Sequence, residues 1–157
     1  MKIATCMYQG KRQVGQISED HTSIRFFQLT QAEHDAGALT LVLNSSLPVL
    51  SDTALPLNQV QLMAPIPQPR RNIFCVGRNY HAHAKELAGS VFKSSPADPN
   101  AWPIVFTKVP ECVVGPHDQV RLPVHISQQI DYEAELAVVI GKGGNNISAA
   151  NAMSHVY

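Results

Sequence analysis

The densest group of reactive side chains is DYEAEL, where Asp131, Glu133 and Glu135 alternate with Tyr132, Ala134 and Leu136. In a strand, side chains repeat every two residues, so this alternation would put three carboxylates on one face, about 7 Å apart along the chain. The chain has 12 acidic residues, and three of them fall within these five positions. The apolar run AVVI follows directly, which sets the acids beside a buried region. Like charges gathered next to a core call for a counter-ion. Carboxylate oxygens with no cysteine or paired histidine beside them suit a hard cation such as Mg²⁺, Mn²⁺ or Ca²⁺ rather than zinc. An ordinary solvated strand face carries the same pattern, and on this motif alone both readings stand.

A second pair is His83 and Glu86, three residues apart. On a helix that spacing brings both side chains to one face, where the carboxylate orients the imidazole and favours proton uptake, as a general base requires. A solvent-facing histidine beside a surface glutamate has the same spacing. Lys108 ends an apolar run and can offer an ammonium to an anionic substrate, or simply be solvated there. His117 and His125 lie in turn-rich surroundings, and GKGGNN lacks the G-K-[ST] ending of a phosphate loop.

The elements that must position these residues follow from pattern and punctuation. Residues 2–8, 13–18 and 23–29 read as three strands of a small β-rich module, the first two separated by Gly10 and a polar turn. Thr30 with Glu33 forms a capping box, and Ala36, Leu39, Val42 and Leu43 recur at helical spacing until Asn44 and Ser45, so one amphipathic helix is expected. Five prolines between Pro48 and Pro69 mark an extended connector, with a boundary near residue 70. Beyond it NIFCVG (72–77) reads as a buried strand and YHAHAKELA as a short helix capped by Asn79. Residues 90–103 read as a mobile surface loop, and PIVFTK, 119–123 and 130–140 as further strands. A last helix follows Ser148 as its N-cap.

Composition narrows the class. A chain of 157 residues, 45% hydrophobic and 15% charged, describes a globular protein. Basic and acidic residues balance at 12 each, which leaves no electrostatic footprint for nucleic acid or an anionic membrane. No stretch approaches a membrane span, and the first fifteen residues lack the apolar core of a signal peptide, so the cytoplasm is the expected compartment. Cys6, Cys75 and Cys112 are too few and too scattered for a disulfide framework or a C-x-x-C zinc site. Two of them lie in strand-like runs that suit buried, inert thiols.

Taken in order, VGRNYHAHAKE, a proline-bearing loop, PIVFTK, VVGPHDQVRLP and IDYEAELAVVIGK before a capped helix resemble the fumarylacetoacetate hydrolase superfamily. The resemblance is dense from Asn72 to Tyr157 and loose over 1–71, where many members carry a small variable module. It implies a mixed α+β, β-rich fold, a partial β-roll whose catalytic part is 71–157 with a small N-terminal β module and connector at 1–70. It also implies Glu133 and Glu135 as ligands of Mg²⁺, Mn²⁺ or Ca²⁺. From the N-Y-x-x-H-x-x-E match (Asn79, Tyr80, His83, Glu86) it implies a His83–Glu86 catalytic dyad on a short lid helix. Substrate contacts would fall at Arg78, Tyr80 and Lys108.

The implied chemistry is C–C hydrolysis or keto–enol isomerisation of small 2-oxo or 2,4-dioxo acids in aromatic catabolism, by a homodimer. Decarboxylation of a compound such as oxaloacetate, or an inactive structural module, are the alternatives. A third acidic ligand, a later lysine and glycine-rich strands are expected after the position of Tyr157, which makes this the N-terminal part of a family chain.

Overall fold

The computed structural model describes residues 1–77, 79–80 and 104–157. These form two compact units, one of Met1–Pro67 with Val114–Tyr157 and one of Gln68–Val113.

The first unit begins with a hairpin. β1 (Lys2–Tyr8) and β2 (Lys11–Ile17) pair antiparallel from Lys2↔Ile17 to Tyr8↔Lys11. The two residues between them, Gln9 and Gly10, both have positive φ (47° and 74°), the conformation that matches the right-handed twist of the flanking strands. β3 (Ser23–Phe26) adds to β2, and the short β4 (Leu55–Pro56) adds to β3. β5 (Gln61–Leu62) adds to β1, so the sheet order is β4-β3-β2-β1-β5. Both faces of this sheet are covered. Val14 and Phe27 pack with Ala38 and Leu41 on one side, while Ala4, Cys6 and Ile24 pack with Leu55, Leu57, Val60 and Leu62 on the other. Coverage on both faces explains why β1 carries buried residues in succession rather than in alternation.

The capping box forms as expected: Glu33 N donates to Thr30 Oγ1 (3.4 Å) and Thr30 N donates to Glu33 Oε2 (2.8 Å). The single helix expected after it is two. α1 (Gln31–Asp35) and α2 (Leu39–Leu43) are divided at Gly37, whose φ is +68°. A side chain there would collide with Pro67 Cδ at 2.6 Å. The next residue is tied down as well, since Ala38 N donates to Pro65 O (2.9 Å) and Thr5 Oγ1 (2.9 Å), and Thr5 Oγ1 donates to Pro65 O (2.6 Å). Tertiary hydrogen bonds to β1 and the connector thus override a helical period that runs on through the glycine.

Toward the C-terminal end of the same unit, strands were expected at 119–123 and 130–140. Neither forms. An isolated bridge joins Ile140 to Val156, and Tyr157 N donates to Val139 O (2.9 Å). A strand needs a neighbour to take up its backbone groups, and among the described residues no strand lies alongside 130–138. Tyr132 and Leu136 are consequently 91% and 80% exposed. After the turn at GKGGNN the chain enters α3 (Ala149–Ala152) and a 3₁₀ turn (Met153–His155). Ser148 occupies the N-cap with extended backbone angles, but its side chain makes no capping bond.

In the second unit, β6 (Ile73–Gly77) and β7 (Ile104–Lys108) pair antiparallel from Ile73↔Lys108 to Gly77↔Ile104. NIFCVG is therefore a strand but not a buried one, since Phe74 is 71% exposed. The expected helix after Tyr80 and the loop at 90–103 lie outside the described residues. Among the described residues no helix is long and apolar enough to cross a membrane.

Candidate functional site

Glu133 and Glu135 follow Ile130 in a stretch that belongs to no described strand or helix, and both are exposed. The acid before them is engaged locally, Asp131 Oδ1 accepting from Tyr132 N at 2.8 Å. Among the described residues no cluster of three or more His, Cys, Asp or Glu side chains could hold a metal ion. The donor chemistry of Glu133 and Glu135 still fits a hard divalent ion. Two carboxylates fill only a minority of a shell of six or more oxygens, so water, substrate or further chain must complete it.

The other expected site residues divide between described and undescribed positions. Lys108 closes β7 opposite Ile73 and is exposed, and Tyr80 is 44% exposed. Both belong to the second unit. Arg78, His83 and Glu86 lie outside the described residues.

Burial sets the three thiols apart. Cys6 is buried in the sheet and burial pushes its thiol up to about 11, so its reactive thiolate is scarce at neutral pH. Cys75 on β6 is only half-buried and Cys112 is exposed, so the expectation of two inert, buried thiols holds for Cys6 alone. His117 borders an open depression with Leu57, Asn58, Val60, Gln61 and Leu62, a lining with one titratable group and little shelter from water.

The sequence did not single out His34, which is buried on α1. Its Nδ1 accepts a hydrogen bond from Val14 N at 2.9 Å, and burial lowers its proton affinity despite the neighbouring Asp35 and Glu33. The signal was present: His34, Ala38 and Leu41 recur at helical spacing, which puts this histidine on the core-facing side.

The family model described as fumarylacetoacetate (FAA) hydrolase C-terminal matches residues 72–157, more than half of the chain. The protein belongs to that family. It is 48% identical over 101 residues to oxaloacetate tautomerase YisK of Bacillus subtilis (strain 168), an overlap covering 64% of this chain and 32% of that protein. It is 41% identical over 128 residues to the mitochondrial oxaloacetate tautomerase FAHD2A of Homo sapiens, covering 82% of this chain and 36% of that one. Among solved structures, the fumarylacetoacetate hydrolase (EaFAH) from psychrophilic Exiguobacterium antarcticum matches with a TM-score of 0.74 at 30% identity, over 99% of this chain and 52% of that chain. The fold is thus the mixed α+β, β-rich arrangement of this family. The chain spans about a third of the length of these curated relatives.

Proposed function

We propose that this chain carries part of a divalent-metal-dependent enzyme acting on small 2-oxo acids, with keto–enol isomerisation of an oxo diacid such as oxaloacetate as the reaction. The observation that carries this reading is the 41% identity over 128 residues to a protein named as an oxaloacetate tautomerase. That name moves the weight from C–C hydrolysis in aromatic catabolism, which remains the finer alternative, to the isomerase branch. Decarboxylation of the same substrate class is the neighbouring possibility.

In this reading Glu133 and Glu135 hold Mg²⁺, with Mn²⁺ or Ca²⁺ as substitutes, and the bound ion supplies Lewis-acid polarisation of the oxo acid. His83, oriented by Glu86, takes the enol proton and returns one to the adjacent carbon, so that atoms and charge balance across the tautomerisation. In a hydrolytic relative of the reaction the same dyad would deprotonate water. Arg78, Tyr80 and Lys108 offer cationic and hydroxyl donors to the substrate carboxylates. Exposure of Glu133, Glu135 and Lys108 supports their access to a small ligand.

The division into a 1–70 module and a 71–157 catalytic portion belongs to the same proposal, supported by the family match starting at residue 72. Homodimerisation is also proposed, supported by the apolar surface of β6 and β7, where Phe74, Val76, Ile104, Val105 and Phe106 are exposed. The cytoplasm is the proposed compartment. Three free thiols suit a reducing setting, although the human relative is named as mitochondrial.

The test is turnover in a chimera in which this chain is completed with the remaining residues of the human relative. Enol-oxaloacetate loss is followed with Mg²⁺ or Mn²⁺, beside the same chimera carrying Glu133→Gln and Glu135→Gln. Metal-dependent isomerisation lost in the double variant is the expected result. Full activity in the double variant, or pyruvate and CO₂ formed in place of keto-oxaloacetate, would replace the proposal by another site or by decarboxylation. A second reading is a structural module without activity. A completed chimera that binds no metal would favour it.

A further inference from the structure

We propose that His34 is a proton-operated latch that docks α1 on β2 and releases it in acid. β3 ends at Phe26, opposite Gly15, so Val14 lies one residue past the paired stretch of the β2–β3 ladder. Val14 O still accepts from Phe27 N (3.0 Å), which shows that the backbone groups of Val14 point to the β3 side. The N–H on that side has no carbonyl. It donates instead to His34 Nδ1 at 2.9 Å, so an imidazole on α1 stands in for the missing strand.

Val14 is fully buried and His34 is 6% exposed. The bond therefore satisfies a donor that water does not reach, and losing it leaves a buried N–H without an acceptor. Two further bonds join the same elements: Gln31 Nε2 donates to Arg12 O (3.2 Å), and Arg12 Nη1 donates to Asp35 O.

An imidazole that accepts at Nδ1 carries its proton on Nε2 and is neutral. Protonation puts a second N–H at Nδ1, facing the N–H of Val14. Two donors then meet in a dry site, and the latch opens. The charged groups on the two packed elements are Lys11 and Arg12 of β2 and Glu33 and Asp35 of α1. The two carboxylates favour the imidazolium, but burial outweighs them and holds the ring below its ordinary value of 6.5. The released ring regains that ordinary value, so below it the open form binds more protons than the docked form. Docking is therefore complete above about pH 6.5 and weakens as pH falls toward the docked ring's own, lower pKa.

The experiment is amide hydrogen exchange by NMR on the 157-residue chain from pH 7.5 to 5, corrected for the intrinsic exchange rate. Val14 protection is expected to fall by up to about tenfold per pH unit below about 6.5, while amides of the β1–β2 ladder hold theirs. In His34→Gln, whose carboxamide oxygen accepts but does not titrate, Val14 protection should be level across the range. Constant protection in the native chain, an equal fall in His34→Gln, or a loss shared by the whole β1–β2 ladder overturns the latch. Should His34→Gln fail to fold, the ring ¹⁵N shifts of the native chain decide. Protonation of Nδ1 that coincides with loss of Val14 protection supports it, and an intact Val14 bond beside a protonated Nδ1 overturns it.

Discussion

In β1 every residue from Lys2 to Tyr8 faces a partner on β2, whereas from Ile130 to Val138 no described strand lies alongside the chain. Burial follows the pairing: Thr5 and Cys6 are fully buried, while Tyr132 and Leu136 stand in solvent. Apolar and alternating residues occur in both segments, so residue type alone does not explain the contrast. A strand becomes part of a core when a neighbour takes up its backbone groups and a second layer covers its face. In the N-terminal module both conditions are met within some sixty residues. The acidic segment, where the chemistry is proposed, depends on whatever pairs with it.

That contrast can be broken first at the reaction. In the completed chimera, His83→Ala is expected to lower turnover by about 10²–10⁴-fold, the usual contribution of a positioned acid–base group, with metal affinity nearly unchanged. Equal losses of rate and metal affinity would make His83 a ligand instead. The next effect is on stability and sets the two segments side by side. Ile24→Ala, at a position 1% exposed in the module core, should cost about 2–5 kcal/mol in denaturant unfolding of the 157-residue chain. Leu136→Ala in the same chain should stay within about 0.5 kcal/mol, as exposed substitutions do. Comparable losses at both positions would mean that 130–138 is packed in solution.

A smaller effect is expected where the connector meets the module. Thr5→Val keeps the shape of the side chain but removes the hydroxyl that Ala38 N and Pro65 O share, which should cost about 1–3 kcal/mol by the same measurement. No change in the unfolding midpoint would mean that water replaces the hydroxyl.

Much of the module is legible in the sequence because its signals are local. Gly10 announces the β1–β2 turn, and Thr30 with Glu33 announces the start of α1. The break at Gly37 is not legible, since Ala36, Leu39, Val42 and Leu43 keep helical spacing across it. Its cause is the remote trio of Thr5, Pro65 and Pro67. NIFCVG and PIVFTK are recognisable as strands, yet their exposure depends on which layers cover them, a property that no local pattern carries. The same holds for the acids: alternation in DYEAEL fits a strand, but pairing decides whether one forms. The order of short motifs from Asn72 onward carried the family, and the match from residue 72 agrees with it. The role of His34 escaped because its flanking acids, Glu33 and Asp35, read as a surface stretch and outweighed its helical spacing to Ala38 and Leu41.

The most direct test of the metal site is a Mn²⁺ titration of the completed chimera, followed by electron paramagnetic resonance of the free ion. Each curve is recorded for the native sequence, for Glu133→Gln and for the pair Glu133→Gln with Glu135→Gln. One saturable site per chain is expected, weakened by the single change and lost in the pair, with Mg²⁺ displacing Mn²⁺ from it. Binding of equal strength in all three proteins would contradict a site built on these two glutamates.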